Sequence, residues 1–219
     1  MRKETEEALK ARILEVVREQ LETEGYDAVQ LRGVASRARV SLTTIYKHFP
    51  TRDELIVAAL QEWMAENSYV AMESPPPGEP IYDGLMRVIR HVFEPWERHP
   101  LMLQAYHRAR TGAGAQHLDN HGLDAVLPIA AEVLSGADES YLSDIATIAS
   151  NMAFALLGQC ADGVLEVAEA LRLFERAVYR LTADNAADAA VALARREAGQ
   201  TRAPALGPEI AAPYRRSEP

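Results

Sequence analysis

Residues 41–49 combine small hydroxyl groups, an aromatic ring and basic side chains within one short stretch. Leu42, Ile45 and Phe49 recur at helical spacing, which predicts a helix that packs along one face. The remaining positions carry polar or basic groups: Ser41, Thr43, Thr44, Tyr46, Lys47 and His48. Such side chains reach phosphate oxygens and base edges when a helix lies in the major groove of DNA. We therefore predict that these residues bind double-stranded DNA.

The segment before this helix predicts a second short helix and a tight turn. Its apolar residues follow an i, i+3, i+4, i+7 pattern: Leu31, Val34, Ala35 and Ala38. Gln30 and Arg32 stand at the start of this helix, where backbone N–H groups favour an anion, so we expect them to hold a phosphate. The two helices together predict a helix-turn-helix unit.

The charge distribution favours the same interpretation. Residues 26–52 contain five basic side chains and one acidic side chain, a local net charge of +4. The whole chain has a net charge of −9, so the other residues sum to −13. A strongly acidic protein with one basic helical pair presents that pair to a polyanion and keeps its other surfaces away.

Two flanking helices must position this unit. A helix over residues 4–24 carries the apolar stripe that should cover the two short helices: Leu9, Ile13, Val16, Val17 and Leu21. Gly25 ends it, as glycine often does. Thr51 followed by Glu54 forms a capping box that starts a fourth helix.

Residues 25–60 contain five short runs in a fixed order: Gly25-Tyr26, Leu31-Arg32-Gly33-Val34-Ala35, Val40-Ser41, Thr44-Ile45-Tyr46-Lys47-His48-Phe49 and Arg52-Asp53-Glu54-Leu55. In this order they resemble the DNA-binding domain of the TetR family of bacterial transcriptional regulators. The resemblance implies that Arg52 touches the DNA backbone. One departure is Arg39, which stands in the turn where the family often has glycine, and arginine tolerates positive φ poorly.

The rest of the chain predicts an all-α body behind a break. Three consecutive prolines at 75–77 cannot continue a helix, so a domain boundary is placed near them. We expect a helix-turn-helix domain over 1–50, a connecting helix over 51–73 and a helical effector-binding and dimerisation domain over 80–183. Residues 184–219 are expected to hold a terminal helix and a disordered tail.

Histidines, aromatic residues and methionines gather in the body and predict a mainly apolar small-molecule site. The candidate ligand-binding residues are His91, Phe93, Trp96, Met102, Leu103, Tyr106, His107 and Met152. Taken one by one, these residues are explained better by an ordinary helical core with exposed histidines at its ends. The family resemblance favours a pocket, because bodies of this size in TetR-like regulators usually enclose one.

His117 and His121 lie four residues apart on a predicted helix and so share a face that a metal ion could use. Exposed histidines beside a glycine loop explain the pair equally well, and we predict no metal site. The sequence contains no phosphate loop, nucleophile elbow or cysteine cluster. We therefore expect no catalytic residues and no cofactor.

The last long helices of the body are apolar on more than one face, which requires cover from a core or a partner chain. The resemblance implies that this partner is a second copy, and a homodimer would read a palindromic operator with two helices roughly 34 Å apart. With no membrane segment or signal peptide in the sequence, we expect a cytoplasmic protein. The function expected is a repressor released by a small apolar effector. Control by a protein partner or a metal, or a helical enzyme, remain alternatives.

Overall fold

The computed structural model describes residues 5–68, 72–111 and 115–199, and every regular element within these ranges is helical. The expected all-α fold is thus confirmed. The helices are α1 Glu6–Thr23, a 3₁₀ turn Tyr26–Ala28, α2 Leu31–Arg37, α3 Leu42–His48, α4 Arg52–Asn67, α5 Ile81–Arg98, α6 Pro100–Arg110, α7 Ala115–Val133, α8 Glu139–Ala161, α9 Val167–Thr182 and α10 Ala186–Glu197. The disordered tail is expected over residues 199–219, and all of it except Gly199 lies outside the described residues. Across the described ranges, no helix is long and apolar enough to cross a membrane.

The first four helices form an N-terminal head that is built on α1. Ile13, Val17 and Leu21 are fully buried, and α1 packs against both α2 and α4. The Arg12 guanidinium donates a hydrogen bond to the carbonyl of Ala38 at the end of α2. A cation at this position also compensates the partial negative charge of the helix C-terminus. Helix α1 therefore fixes the position of α2, and α2 packs against α3.

The turn between α2 and α3 contains an unusual backbone conformation. Arg39 has a φ of 52°, the positive-φ conformation that arginine tolerates poorly. A side chain in this region costs about 1–2 kcal/mol relative to the right-handed conformation. The turn keeps its shape because Val40 donates to the carbonyl of Ala35 and Ser41 caps α3. The helix-turn-helix geometry is thus retained without glycine.

The body consists of α5 to α9, with α5 at its centre. Helix α5 packs along α9, where the Phe93 and Phe174 rings meet edge to face at 5.2 Å between centroids. It also packs against α7, where Gly84 faces Val133. A Cβ atom built on Gly84 would lie 2.7 Å from a methyl carbon of Val133. Glycine is needed at this position because α5 and α7 approach too closely for any side chain.

We expect Gly84→Ala to lower the free energy of unfolding by about 1–3 kcal/mol, because the added methyl group overpacks the contact with the stiff Val133 side chain. Urea or thermal unfolding followed by circular dichroism measures this change. Gly33→Ala is the matched control, because Gly33 is also helical and a Cβ atom there would meet no neighbouring group within 4 Å among the described residues. That variant should gain roughly 0.5–1 kcal/mol from helix propensity. Equal effects of the two substitutions would contradict the packing argument.

Candidate nucleic-acid interface and body cavity

Helix α3 presents the polar face that the sequence predicts. Its N-terminus is capped by the Ser41 hydroxyl, which accepts a hydrogen bond of 3.0 Å from the backbone N–H of Thr44. Ile45 is fully buried and holds the helix on the head. Tyr46 is half-exposed, and Thr43 and Lys47 are exposed. Thr44 and His48 are partly buried, so the outer rim of the face consists mainly of Thr43, Tyr46 and Lys47.

A carboxylate from α1 lies beside this face. Glu6 Oε1 is 3.5 Å from Lys47 Nζ and 3.6 Å from His48 Nδ1. The Glu6 and Lys47 side chains are both exposed, and exposed ion pairs of this kind contribute about 0–1 kcal/mol to stability. The pair matters for electrostatics more than for folding, because the carboxylate occupies part of the space in which an incoming phosphate would meet the two basic groups.

The three flanking residues predicted to bind DNA differ in their surroundings. Arg32 is exposed near the start of α2. Gln30 donates from its amide to the Asp27 carbonyl at 3.1 Å, so this group contacts the preceding turn. Arg52 donates from Nε to the Val29 carbonyl at 2.6 Å and from Nη2 to the Tyr26 carbonyl at 2.5 Å. The Arg52 guanidinium thus ties the start of α4 to the turn before α2.

The head meets the body at a cluster that we term the arginine–tyrosine joint, formed by Tyr26, Arg52, Arg108 and Asp27. The guanidinium carbons of Arg52 and Arg108 each lie 4.5 Å from the centre of the Tyr26 ring. Arg108, on α6, also donates to Asp27 Oδ2 at 2.7 Å, which lowers the pKa of that carboxyl. Burial raises the pKa of the Tyr26 phenol, and the nearby Asp53 carboxylate raises it further. The joint fixes α6 against the head.

A second contact between head and body is the aromatic cluster, formed by Trp63, Trp96, Tyr106 and His99. The Trp63 ring on α4 lies 4.6 Å from Trp96 on α5, and Trp96 lies 5.2 Å from Tyr106 on α6. The Trp63 indole N–H donates to Glu22 Oε1 on α1 at 2.9 Å. The same carboxylate oxygen is 3.4 Å from His99 Nδ1. Four helices, α1, α4, α5 and α6, are therefore joined through this cluster.

The body contains a cavity of about 350 Å³ that is partly open to solvent, and this volume lies within the size range of small-molecule sites. Helices α4 to α9 all contribute to its wall, and the wall is almost entirely apolar. Met64 of α4 and Trp96 and Tyr106 of the aromatic cluster are among its lining residues. Several alanines of α7 and α8 leave the space open: Ala130, Ala131, Ala146, Ala149 and Ala153.

The structure places three of the eight predicted ligand-binding residues on the cavity wall, namely Phe93, Trp96 and Tyr106. Met102 and Leu103 are buried in the core without lining the cavity, and Met152 packs at the edge of the core. His91 lines a separate polar depression with Glu79 and Arg87. His107 lies between α6 and α8, 3.8 Å from Asp162 Oδ1. These five residues are therefore left out of the proposed site.

The sequence prediction missed the α7 and α8 part of the wall and the contribution of Met64. The sequence signal that could have found this part of the wall is the series of alanines on helices that are apolar on several faces. Alanine side chains fill little volume, so a helix interface lined by them leaves space. Of the His117 and His121 pair, the His117 side chain lies outside the described residues. Within the part of the chain that the structure describes, no three His, Cys, Asp or Glu side chains cluster as metal ligands.

Family models match the two halves of this architecture separately. Residues 13–59 match the bacterial regulatory proteins of the tetR family, and residues 78–181 match the tetracyclin repressor-like C-terminal domain. The chain belongs to the TetR family. Its α3 is thus the second helix of a TetR helix-turn-helix domain, and its cavity lies in a TetR-type C-terminal domain.

Solved structures share the fold at low identity. A TetR transcriptional regulator from Rhodococcus sp. RHA1 superposes with a TM-score of 0.65 at 24% identity, covering 81% of this chain and 97% of that chain. A TetR-like regulator from the same source gives a TM-score of 0.54 at 19% identity, with the same coverage of both chains. At these sequence identities, the structural similarity shows a shared fold and nothing more specific.

Curated relatives match over part of their length. The HTH-type transcriptional repressor KstR of Rhodococcus jostii is 35% identical over 86 residues, which is 39% of this chain and 39% of KstR. KstR of Mycobacterium tuberculosis is 33% identical over 91 residues, or 42% of this chain and 41% of that protein. This chain thus spans about two fifths of the length of the curated relatives it matches.

We expect Tyr46→Ala and Lys47→Ala each to weaken operator binding at least fivefold, since each removes an exposed group from the α3 face. Lys47→Ala should also reduce the slope of log K against log salt by about 1, because one phosphate contact is lost. Fluorescence anisotropy at several salt concentrations measures both effects. Arg90→Ala, which removes one exposed positive charge from the body, is the control for net charge. Wild-type binding by both α3 variants would contradict the assigned face.

We expect Glu6→Gln to tighten DNA binding roughly twofold to tenfold at low salt, because it removes a negative charge beside Lys47 and His48. The gain should shrink as salt rises and screens the charge. The same anisotropy titration measures it. Glu7→Gln makes an identical change in net charge without removing these two contacts, so an equal effect of both variants would show that only net charge matters.

Proposed function

We propose that this TetR-family protein is a transcriptional repressor that binds a palindromic operator and releases it when a small apolar effector fills the body cavity. The exposed groups of α3 bind DNA in the major groove together with the exposed Ser41 and the partly buried Thr44 and His48. Phosphate contacts supply most of the affinity, and a few base contacts supply the specificity. The matching relatives are named as transcriptional repressors, which supports the sign of regulation.

One observation carries the effector part of the proposal: the cavity and the head share helix α4. Met64 of α4 lines the cavity, and the preceding residue, Trp63, stacks on Trp96 and bonds to Glu22 of α1. The N-terminus of α4 is held by Arg52 to the turn before α2. An occupant that displaces Met64 or Trp96 therefore pushes directly on the helix that positions the head. Such an occupant shifts the equilibrium only if it binds more tightly to the protein with α4 in one position than in the other.

The proposed homodimer is supported by apolar groups on the outer surfaces of α8 and α9. Ile148 on α8 is 44% exposed and Tyr179 on α9 is 56% exposed. Small residues such as Ala155 lie on the same outer side of α8 and would allow a second copy to approach closely. In the dimer, a movement of α4 in each copy changes the spacing of the two heads, and this spacing must match successive turns of the major groove.

The cavity also helps to decide between a small-molecule effector and the alternative of control by a protein partner. Control by a protein partner alone would not require an apolar cavity of small-molecule size. The 350 Å³ cavity therefore favours a small-molecule effector over control by a partner alone. No specific contact in the described residues favours an enzyme.

The proposal is tested by sequencing the fragments of genomic DNA that the purified protein retains at near-physiological salt. We expect one sharp palindrome, and genes beside it whose substrates are candidate effectors. Lys47→Ala serves as the matched control and should lose this enrichment. Enrichment without a common sequence, lost as salt rises, would contradict specific regulation and leave only nonspecific phosphate binding.

A further inference from the structure

The Arg39 side chain is exposed at the turn between α2 and α3, whereas its two neighbours in the chain face the head. Ala38 is 1% exposed, and Val40 is partly buried and packs against the core. Among the residues that the structure describes, the Arg39 guanidinium makes no hydrogen bond, ion pair or ring contact. Its positive charge is therefore available to a partner from outside the chain.

Two other cations near this turn and helix α3 are already paired with carboxylates. Arg37 Nη1 lies 2.8 Å from Glu24 Oε1, and Lys47 Nζ lies 3.5 Å from Glu6 Oε1. An incoming anion must compete with a carboxylate for each of these two groups. Arg39 has no such competitor in the described part of the chain.

The fold of the turn does not require arginine at position 39. Its φ of 52° lies in the region that glycine adopts most readily. The turn is held by backbone bonds, which the N–H of Arg39 donates to the Ser36 carbonyl at 3.2 Å and the N–H of Val40 donates to the Ala35 carbonyl at 2.9 Å. Neither bond uses the Arg39 side chain. A side chain that makes the backbone conformation costly and contacts nothing in the fold points to a role outside the fold.

Helix α3 brings this turn to the edge of the major groove when it binds DNA. An α-helix with its side chains is about 10–12 Å wide, and the major groove is about 12 Å wide. A recognition helix contacts base edges with its N-terminal residues, so the segment leading into it passes the sugar–phosphate backbone at the groove edge. The Cα atom of Arg39 lies two residues before the Ser41 cap and at most about 7 Å from its Cα atom. The long arginine side chain therefore reaches a phosphate at this edge.

We propose that Arg39 binds a DNA phosphate at the edge of the major groove that α3 enters. This inference rests on the proposed function and adds a contact to those assigned to the helix-turn-helix. A guanidinium can donate two parallel N–H bonds to a phosphate, which fixes the direction of the contact as well as its length. The contact is independent of base sequence, so Arg39 positions α3 on the duplex and does not select the bases.

Arg39→Gly tests the proposal, because it relieves the backbone conformation and removes the charge in one change. We expect its midpoint of thermal unfolding to equal that of wild type or to exceed it by up to about 4 °C. We expect its affinity for DNA to fall about threefold to tenfold, with a slope of log K against log salt that is smaller by about 1. Arg39→Lys keeps the charge and should restore the slope.

Fluorescence anisotropy over a salt series measures these affinities for two duplexes. One is the genomic fragment that the wild-type protein enriches most strongly, and the other has the same composition in scrambled order. Arg37→Ala is the matched control, because it removes the same charge two residues away from a guanidinium that is paired with Glu24. We expect it to change both affinities less than about twofold. Equal weakening by Arg37→Ala and Arg39→Gly would overturn a specific contact of Arg39.

A chemical change in the DNA locates the contact. Phosphates along the enriched duplex are replaced one at a time by neutral methylphosphonate. We expect one position at which the replacement weakens wild type about threefold to tenfold and leaves the affinity of Arg39→Gly unchanged, because that variant has already lost the contact. Replacements that affect the two proteins equally at every position would show that Arg39 touches no phosphate.

The outcomes separate this proposal from the proposed function. Equal affinity of wild type for the enriched and scrambled duplexes would contradict specific regulation, whereas a loss of affinity and salt slope in Arg39→Gly would still support the phosphate contact. A clear preference for the enriched duplex, with wild-type affinity in Arg39→Gly, would overturn the phosphate contact alone. A lower unfolding midpoint of Arg39→Gly would show that the side chain supports the fold, which also contradicts the proposal.

Discussion

The stacking of Trp63 on Trp96 is the contact on which the arrangement of head and body depends. Each ring belongs to a different helix, and the Trp63 N–H extends the contact to α1 through Glu22. Aromatic pairs of this kind contribute about 0.5–1.5 kcal/mol beyond the burial of their area. The pair is buried and Trp96 lies on the cavity wall, so the proposed effector would act on the position of α4 through this contact. The arginine–tyrosine joint holds the other side of the head with charged groups that remain near solvent.

These two contacts differ in how they respond to their surroundings. The aromatic cluster is largely buried, and salt has little effect on it. The ion pair of Arg108 with Asp27 is exposed, and its contribution falls as ionic strength rises. The Asp27 carboxyl has a lowered pKa, so its pairing is present above the ordinary titration range of aspartate and is lost as the pH falls through that lowered value. The Arg108–Asp27 pair is thus sensitive to salt and pH, whereas the contact between the Trp63 and Trp96 rings is not.

The sequence predicted the head closely and the cavity poorly, for physical reasons. Short-range signals determine a helix-turn-helix unit. The predicted Thr51 cap forms, and Ser41, which the sequence assigned only to DNA binding, caps α3 in the same way. Arg39 adopts positive φ because the contacts around it outweigh the cost of that conformation. A cavity depends on which helix faces meet, and residue type does not reveal this.

Two groups of residues show the limit of that prediction. Met102 and Leu103 have the right chemistry but face the core, whereas the alanines of α7 and α8 form the wall because they are small. Arg52 matches a family position for DNA contact, yet its guanidinium holds two carbonyl groups of the head. In both cases the three-dimensional neighbours, which no local pattern encodes, decide what the side chain does.

Gly84 determines the distance between two walls of the cavity without lining it. Its missing side chain lets α5 and α7 approach, and both helices supply residues that line the cavity. A larger residue at this position would separate the two walls and change the width of the space between them. A substitution at Gly84 would therefore change the shape of the cavity without altering its lining, and under the proposed function it would change which molecules fit.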